Sequence, residues 1–181
     1  FTYSEKLRKV SSYVLNVLKA PDVLGLQEVD ELTTLQALAA QIAADGGPPY
    51  QSFLVEGNDP GGIDVGFMIR TDRVSGASVE QFYQTKNWYD PLVTCNPPTT
   101  DPYPCENLHD RPPLLLRATF NGTNGPYPFA VINNHTKAIG NVDETGAAAE
   151  RDRSKRFQQA KDVATLAQQF QTSAGPFDGL G

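Results

Sequence analysis

QSFLVEGNDPGGIDVGFMIRTDRVSGASVEQFYQ, residues 51–84, decides the fold class. Three segments of it, Gln51–Val55, Ile63–Arg70 and Ser78–Gln84, alternate in polarity or are rich in β-formers. Between them stand Gly, Asn, Asp and Pro, which supply the backbone angles and local side-chain hydrogen bonds of turns. Strands in that succession read as a meander. The stretch predicts an α/β sandwich of mainly antiparallel sheets flanked by helices, in preference to a doubly wound parallel sheet.

Upstream, Leu7, Val10, Val14, Val17 and Leu18 recur at helical spacing, with Thr2 and Glu5 in capping-box relation and Pro21 beyond the end. A helix from Ser4 to Lys19 is expected. Val23, Leu24 and Leu26 around Gly25 are too few for a helix and apolar on both faces, so they predict a buried strand ending at Gln27-Glu28. Asp30 is placed to cap a second helix that carries Leu32, Leu35, Leu38 and Ile42 on one face and stops at Gly46-Gly47-Pro48-Pro49.

Downstream, Pro91 to Pro113 holds half of the 14 prolines and both cysteines, which bars a central strand or a helix and predicts a long loop. Leu114–Phe120 and Pro128–Asn134 follow as strands joined by an Asn-Gly-Thr-Asn-Gly turn, a hairpin that delivers Asn133-Asn134-His135 at its end. Phe157, Ala160, Ala164, Ala167 and Phe170 or Gln171 predict the apolar face of a third helix. It starts between Asp143 and Ala149 and runs to about Gln171. No internal repeat or second-domain boundary is visible, and 181 residues suit one domain.

Fifteen Lys plus Arg against 21 Asp plus Glu leave a net charge of -6, so the whole molecule repels a phosphate backbone and any phosphate chemistry must be local. No run approaches the roughly 18 to 20 apolar residues of a membrane span, and the first residues lack the order of a signal peptide. The expectation is a soluble chain, already trimmed if secreted. Cys95 and Cys105 lie in the proline-dense loop, where a disulfide is the favoured reading. It would contribute about 2.7 kcal/mol by loop entropy and imply an oxidising, extracellular or periplasmic compartment. Reduced thiols remain an alternative, as does a zinc site with His109, although the spacing matches none of the usual paired-ligand patterns. Asn121-Gly-Thr123 and Asn134-His-Thr136 match the glycosylation acceptor pattern, and a glycan on Asn134 would crowd His135. Both are read as chance matches.

Four positions carry possible chemistry on residue type and place alone. Glu28 ends a strand, where a carboxylate borders any cleft, although acids also favour the first turn of a following helix. Asp64 lies in an otherwise apolar strand and costs energy there unless paired. His135 ends a strand with Lys137 two residues on, so that an imidazole and a cation share one side; a lone strand-end His is also commonly structural. Arg111 precedes Pro112-Pro113, a stiff backbone from which a guanidinium fork can be aimed at an anion, against the default of a surface Arg.

Taken in order, Pro-Asp-Val-Leu-Gly-Leu-Gln-Glu-Val (21–29), Gly-Gly-Ile-Asp-Val-Gly-Phe-Met-Ile-Arg (61–70), Asp-Arg-Pro-Pro-Leu (110–114) and Val-Ile-Asn-Asn-His-Thr-Lys (131–137) resemble the endonuclease/exonuclease/phosphatase family of deoxyribonuclease-like enzymes, particularly secreted bacterial members. The resemblance runs from about Leu7 to Phe170. It implies a Mg²⁺ ion, or Mn²⁺ or Ca²⁺, on Glu28, since hard oxygen ligands suit these ions. It makes His135 the acid or base at the scissile phosphate, with Asp64 as its orienting partner. Arg111 would position the phosphate and Lys137 would add charge. The implied substrate is a phosphoester: nucleic acid, nucleotide or phospholipid head group.

Departures from the family pattern are equally specific. Members begin with a strand carrying an Asn near the metal and continue into Gly-Asp-x-Asn and Ser-Asp-His-type segments, none of which occurs here. Asp178 does not match the first of these segments, and His109 lies too early for the second. Residues 1–181 therefore read as a partial domain lacking its first strand and its C-terminal portion, with one side of an active site. A non-catalytic binding module on the same scaffold is the rival, using the Pro91–Pro113 loop and Trp88, Tyr89 and Tyr103 as anchors.

Overall fold

The computed structural model describes residues 2–88 and 106–172. Helix α1 (Tyr3–Asn16) opens on a complete capping box: Thr2 N donates to Glu5 Oε2 at 2.7 Å, and Glu5 N donates back to Thr2 Oγ1 at 3.3 Å. Strand β1 (Val23–Val29) leads to α2 (Leu32–Ala44), then β2 (Tyr50–Leu54), β3 (Asp64–Arg70) and β4 (Val74–Gln81). The two-residue strands β5 (Asn87–Trp88) and β6 (Glu106–Asn107) pair with each other. The hairpin β7 (Leu114–Gly122) and β8 (Gly125–Asn133) and the long helix α3 (Ala147–Thr172) complete the order.

Two three-stranded sheets result, β1-β3-β2 and β4-β7-β8, and every pairing in them is antiparallel. This is the predicted α/β sandwich. Val65, Phe67 and Ile69 of β3 point one way, against Val74, Leu114, Leu116 and Ala118 of the second sheet. Met68 points the other way, into the layer formed by Val14 of α1 and Leu35, Leu38 and Ile42 of α2. Because side chains alternate along a strand, a central strand covered on both faces reads as nearly continuous apolar sequence, which is what Val65–Ile69 shows.

Six expectations are corrected. β2, β3 and β4 do not form one meander: β2 pairs with β3, whereas β4 joins β7 in the second sheet. α1 ends at Asn16 rather than Lys19, and Val10, Val17 and Leu18 of its expected face are exposed. β1 was predicted to be buried on both faces; it is an edge strand whose residues are half-buried or exposed except Val29. β4 begins at Val74, four residues before the predicted start. Asp30 does not cap α2: the cap position is Glu31, whose N–H donates to Asp30 Oδ1 at 2.9 Å. The predicted apolar face of α3 is also wrong. Phe157 is 66% exposed, and the buried stripe is Ala149, Asp152, Lys155, Gln159, Asp162 and Leu166. The surface that α3 covers explains the reversal. It packs over chain segments whose backbone groups lack strand partners, such as Leu108 O and Lys137 N, and these must be hydrogen-bonded by whatever buries them.

Trp88, offered above as a docking anchor, is 2% exposed, with the Arg151 guanidinium 5.2 Å from its ring centre. Tyr89, Tyr103, Cys95 and Cys105 lie outside the described residues, and so does the disulfide expectation.

Candidate functional site

One end of the sandwich gathers the polar residues of interest, and a defect in β1 begins the arrangement. Leu26 pairs with Gly66 and Val29 with Asp64, so three steps on β1 oppose two on β3. This is a β-bulge, a device that re-aims side chains near a strand end. Glu28 sits in it with φ of 57°, left-handed backbone that a non-glycine residue adopts only at an energetic cost.

Three hydrogen bonds then stitch the first sheet, two at β1 and one at β3, to the end of β8. Gln27 Nε2 donates to Asn134 O at 2.9 Å. Asn133, 8% exposed, donates from its amide to Leu26 O at 2.8 Å and to Gly66 O at 3.0 Å, so a residue of one sheet satisfies two carbonyls of the other. The result brings His135 Nε2 to 3.9 Å from Glu28 Oε1, with the Glu28 side chain 70% exposed and that of His135 18%. Desolvation holds the His135 imidazole below its ordinary range; the positive charge of Arg111 acts in the same direction, while Glu28 and Asp59 oppose it. His135 is accordingly neutral near pH 7. Its Nδ1 is buried without a partner among the described residues.

Arg111 approaches the same end from the segment before β7. Asn58 N donates to Asp110 O at 2.8 Å, and Asn58 Nδ2 donates to His109 O at 3.0 Å and Gln84 O at 2.7 Å, which locks the 56–59 turn onto this segment. The approach is close enough to require glycine at 57: a Cβ there would lie 2.4 Å from Asp64 Oδ1 and 2.7 Å from Pro112 Cδ. The turn delivers Asp59 to Arg111 as an ion pair with both side chains 12% exposed. Arg111 Nε has no partner among the described residues.

Asp64 stands close by in a different role from the one the resemblance implied. Its Oδ1 accepts from Gly57 N at 2.8 Å, and the carboxylates acting on His135 are Glu28 and Asp59. Burial raises the Asp64 pKa to about 6, aided by a side-chain hydrogen bond with Glu56 and by the negative charges of Glu56 and Asp59. Lys137 pairs with α3, its Nζ 3.8 Å from Asp152 Oδ1. The structure thus groups Glu28, Arg111 and His135, leaves Asp64 buried beside them, and turns the Lys137 ammonium toward the helix.

Residues that the sequence did not single out complete the surroundings. Asp59, Gln27, Asn133 and Gln159 each bond one segment of the site or carry its charge. Near them lies a polar group centred on buried His109 and Asp162, in which His109 Nε2 is 3.3 Å from Asp162 Oδ2, the exposed Lys86 donates from Nζ to Asp162 Oδ1 at 2.5 Å, and the Tyr83 ring stacks on the imidazole at 5.7 Å. Desolvation pushes the His109 pKa below the ordinary imidazole value, with Asp162 opposing.

An exposed carboxylate, a neutral imidazole and a guanidinium at one edge can bind a tetrahedral anion and exchange a proton with it. Among the described residues no group of three or more His, Cys, Asp or Glu side chains is placed to hold a metal. No described helix is long and apolar enough to cross a membrane. No family model and no curated protein matches the chain. Among solved structures it is similar to an endonuclease/exonuclease/phosphatase from Bacteroides vulgatus, at 15% identity and a TM-score of 0.47, over 92% of this chain and 54% of that one. The chain therefore spans about half the length of that structure.

Proposed function

We propose that this chain carries one side of the active site of a metal-dependent phosphoester hydrolase. The observation that supports this reading is the meeting of Glu28, His135 and Arg111, drawn from three separate parts of the chain, at one end of the sandwich. The sequence resemblance of Leu-Gln-Glu-Val and Asn-His-x-Lys supports it independently.

Arg111 presents planar donors to the non-bridging oxygens of a phosphoester, exchanging its pair with Asp59 for the substrate anion. His135, with its pKa lowered by desolvation, accepts a proton at the phosphate and, once protonated, can return it. Glu28 offers a hard oxygen ligand for Mg²⁺. Since it is a single carboxylate, the ion would draw its other oxygens from water and substrate, in keeping with the reluctance of Mg²⁺ to shed its waters. When bound, such an ion neutralises charge developing on the phosphate. With a net charge of -6, a small or single-stranded substrate suits the molecule better than long duplex DNA, and nucleotides and phospholipid head groups meet the same requirement.

The test is Mg²⁺-dependent hydrolysis of bis-p-nitrophenyl phosphate by the gene product in its full natural length. His135→Ala is expected to lower the rate by about 10² to 10⁴-fold with an unchanged circular dichroism spectrum. The 181-residue chain alone is expected to show little turnover. Rates unaffected by both His135→Ala and Glu28→Ala would refute the assignment.

A further inference from the structure

Gln159 is 1% exposed, and both ends of its side-chain amide are in use. Oε1 accepts from Lys137 N at 2.9 Å, and Nε2 donates to Leu108 O at 2.8 Å. Lys137 follows His135 by two positions, and Leu108 precedes Arg111 by three. A single buried side chain therefore joins the backbones of the two segments that carry the imidazole and the guanidinium.

The chemistry of the two backbone groups specifies the residue. An N–H needs an acceptor and a C=O needs a donor, and a neutral amide supplies both from one planar group. An ionised Glu would satisfy Lys137 N and leave Leu108 O facing an acceptor, while Leu would satisfy neither. Its neighbours on the helix also reach these segments: Arg156 Nη1 donates to Thr136 Oγ1 and Lys137 O, and Lys155 Nζ donates to Asp110 Oδ1 at 3.0 Å.

We propose that Gln159 is a positioning residue, which sets the spacing between Arg111 and His135 by clamping their two segments to α3. The claim rests on the phosphoester reading above for its functional meaning, and on the two hydrogen bonds for its geometry.

Gln159→Leu and Gln159→Glu in the 181-residue chain test it by two measurements, each referred to the parent chain at the same pH. The first is hydrogen–deuterium exchange without ligand. The second is affinity for inorganic phosphate, read from the Arg111 Nε–H resonance. In Gln159→Leu, exchange in both segments, 107–111 and 134–138, should rise roughly fivefold or more while β3 and β7 stay protected, as expected for the loss of about 1 kcal/mol per hydrogen bond. Phosphate affinity should fall about tenfold or more. Gln159→Glu should match the parent near pH 5, where a buried carboxyl keeps its proton and can donate to Leu108 O, and match Gln159→Leu near pH 8. A side chain that only fills space gives no such pH profile. Parent-like behaviour of Gln159→Glu across the range would overturn the proposal, as would loss of protection in one segment only. If Gln159→Leu fails to fold, the profile of Gln159→Glu decides alone. A parent chain that shows the exchange pattern but binds no phosphate at Arg111 would remove the phosphoester reading and leave the clamp standing.

Discussion

Glu28 combines a left-handed backbone with a side chain that is mostly in solvent. Under the phosphoester reading proposed above, that strain is kept for what the carboxylate does. Glycine adopts the same backbone without strain, although it also widens the unfolded ensemble. Glu28→Gly should therefore keep or raise thermal stability, by up to about 1 kcal/mol, while abolishing phosphoester hydrolysis by the full-length protein. Differential scanning calorimetry beside a turnover assay would check both halves. Asp64 presents the opposite case, a buried acid with a structural bond. Its folded pKa of about 6 lies above the model value of 3.8, so its stabilising contribution is present at low pH and is lost as pH rises through about 6. Asp64→Asn keeps an acceptor for Gly57 N and removes the charge. It should raise Tm near pH 8, by roughly 2 to 4 °C for each kcal/mol relieved, and change little near pH 4. Glu28 was legible as a candidate because a strand visibly ended there. The bulge that aims it was not, since a bulge follows from pairing with a strand distant in sequence.

At the scale of elements, β3, β7 and α2 are legible because burial against other apolar elements imposes a period, whereas α1 is legible from its capping box and only Val14 of its expected face is buried. α3 was misread for a related reason. Its inward residues at 152, 155, 159 and 162 keep helical spacing, but they are polar, and a search for apolar periodicity passes over them. Their partners are loop backbone and loop side chains whose positions only the fold reveals. A helix docked in this way should be sensitive to acid through His109. Burial lowers its folded pKa below that of the unfolded chain, so the unfolded state takes up a proton first, and stability falls as pH drops through the ordinary imidazole range near 6.5. The urea midpoint should decline between about pH 7.5 and 5.5, with a shallower decline in His109→Gln. An identical slope in the variant would show that His135 or the carboxylates carry the effect.

For the whole molecule, the two sheets share an apolar interior but meet at the site end through Asn133. Asn133→Leu would leave Leu26 O and Gly66 O without their donor, at a cost of about 1–3 kcal/mol, and should lower the denaturant midpoint more than a surface substitution on β8. The bond from Asn133 to Leu26 closes a separation of 107 residues, and so does the bond from Gln27 to Asn134. Contacts of such range form late, because the chain between them must be ordered before they are rewarded. In stopped-flow refolding, sheet and helix signals should therefore run ahead of the recovery of phosphate binding. During synthesis, the chain between Glu28 and His135 must be made before the two can meet. A nascent or partly folded copy thus holds Glu28 and His135 apart, and their approach to 3.9 Å marks a finished fold.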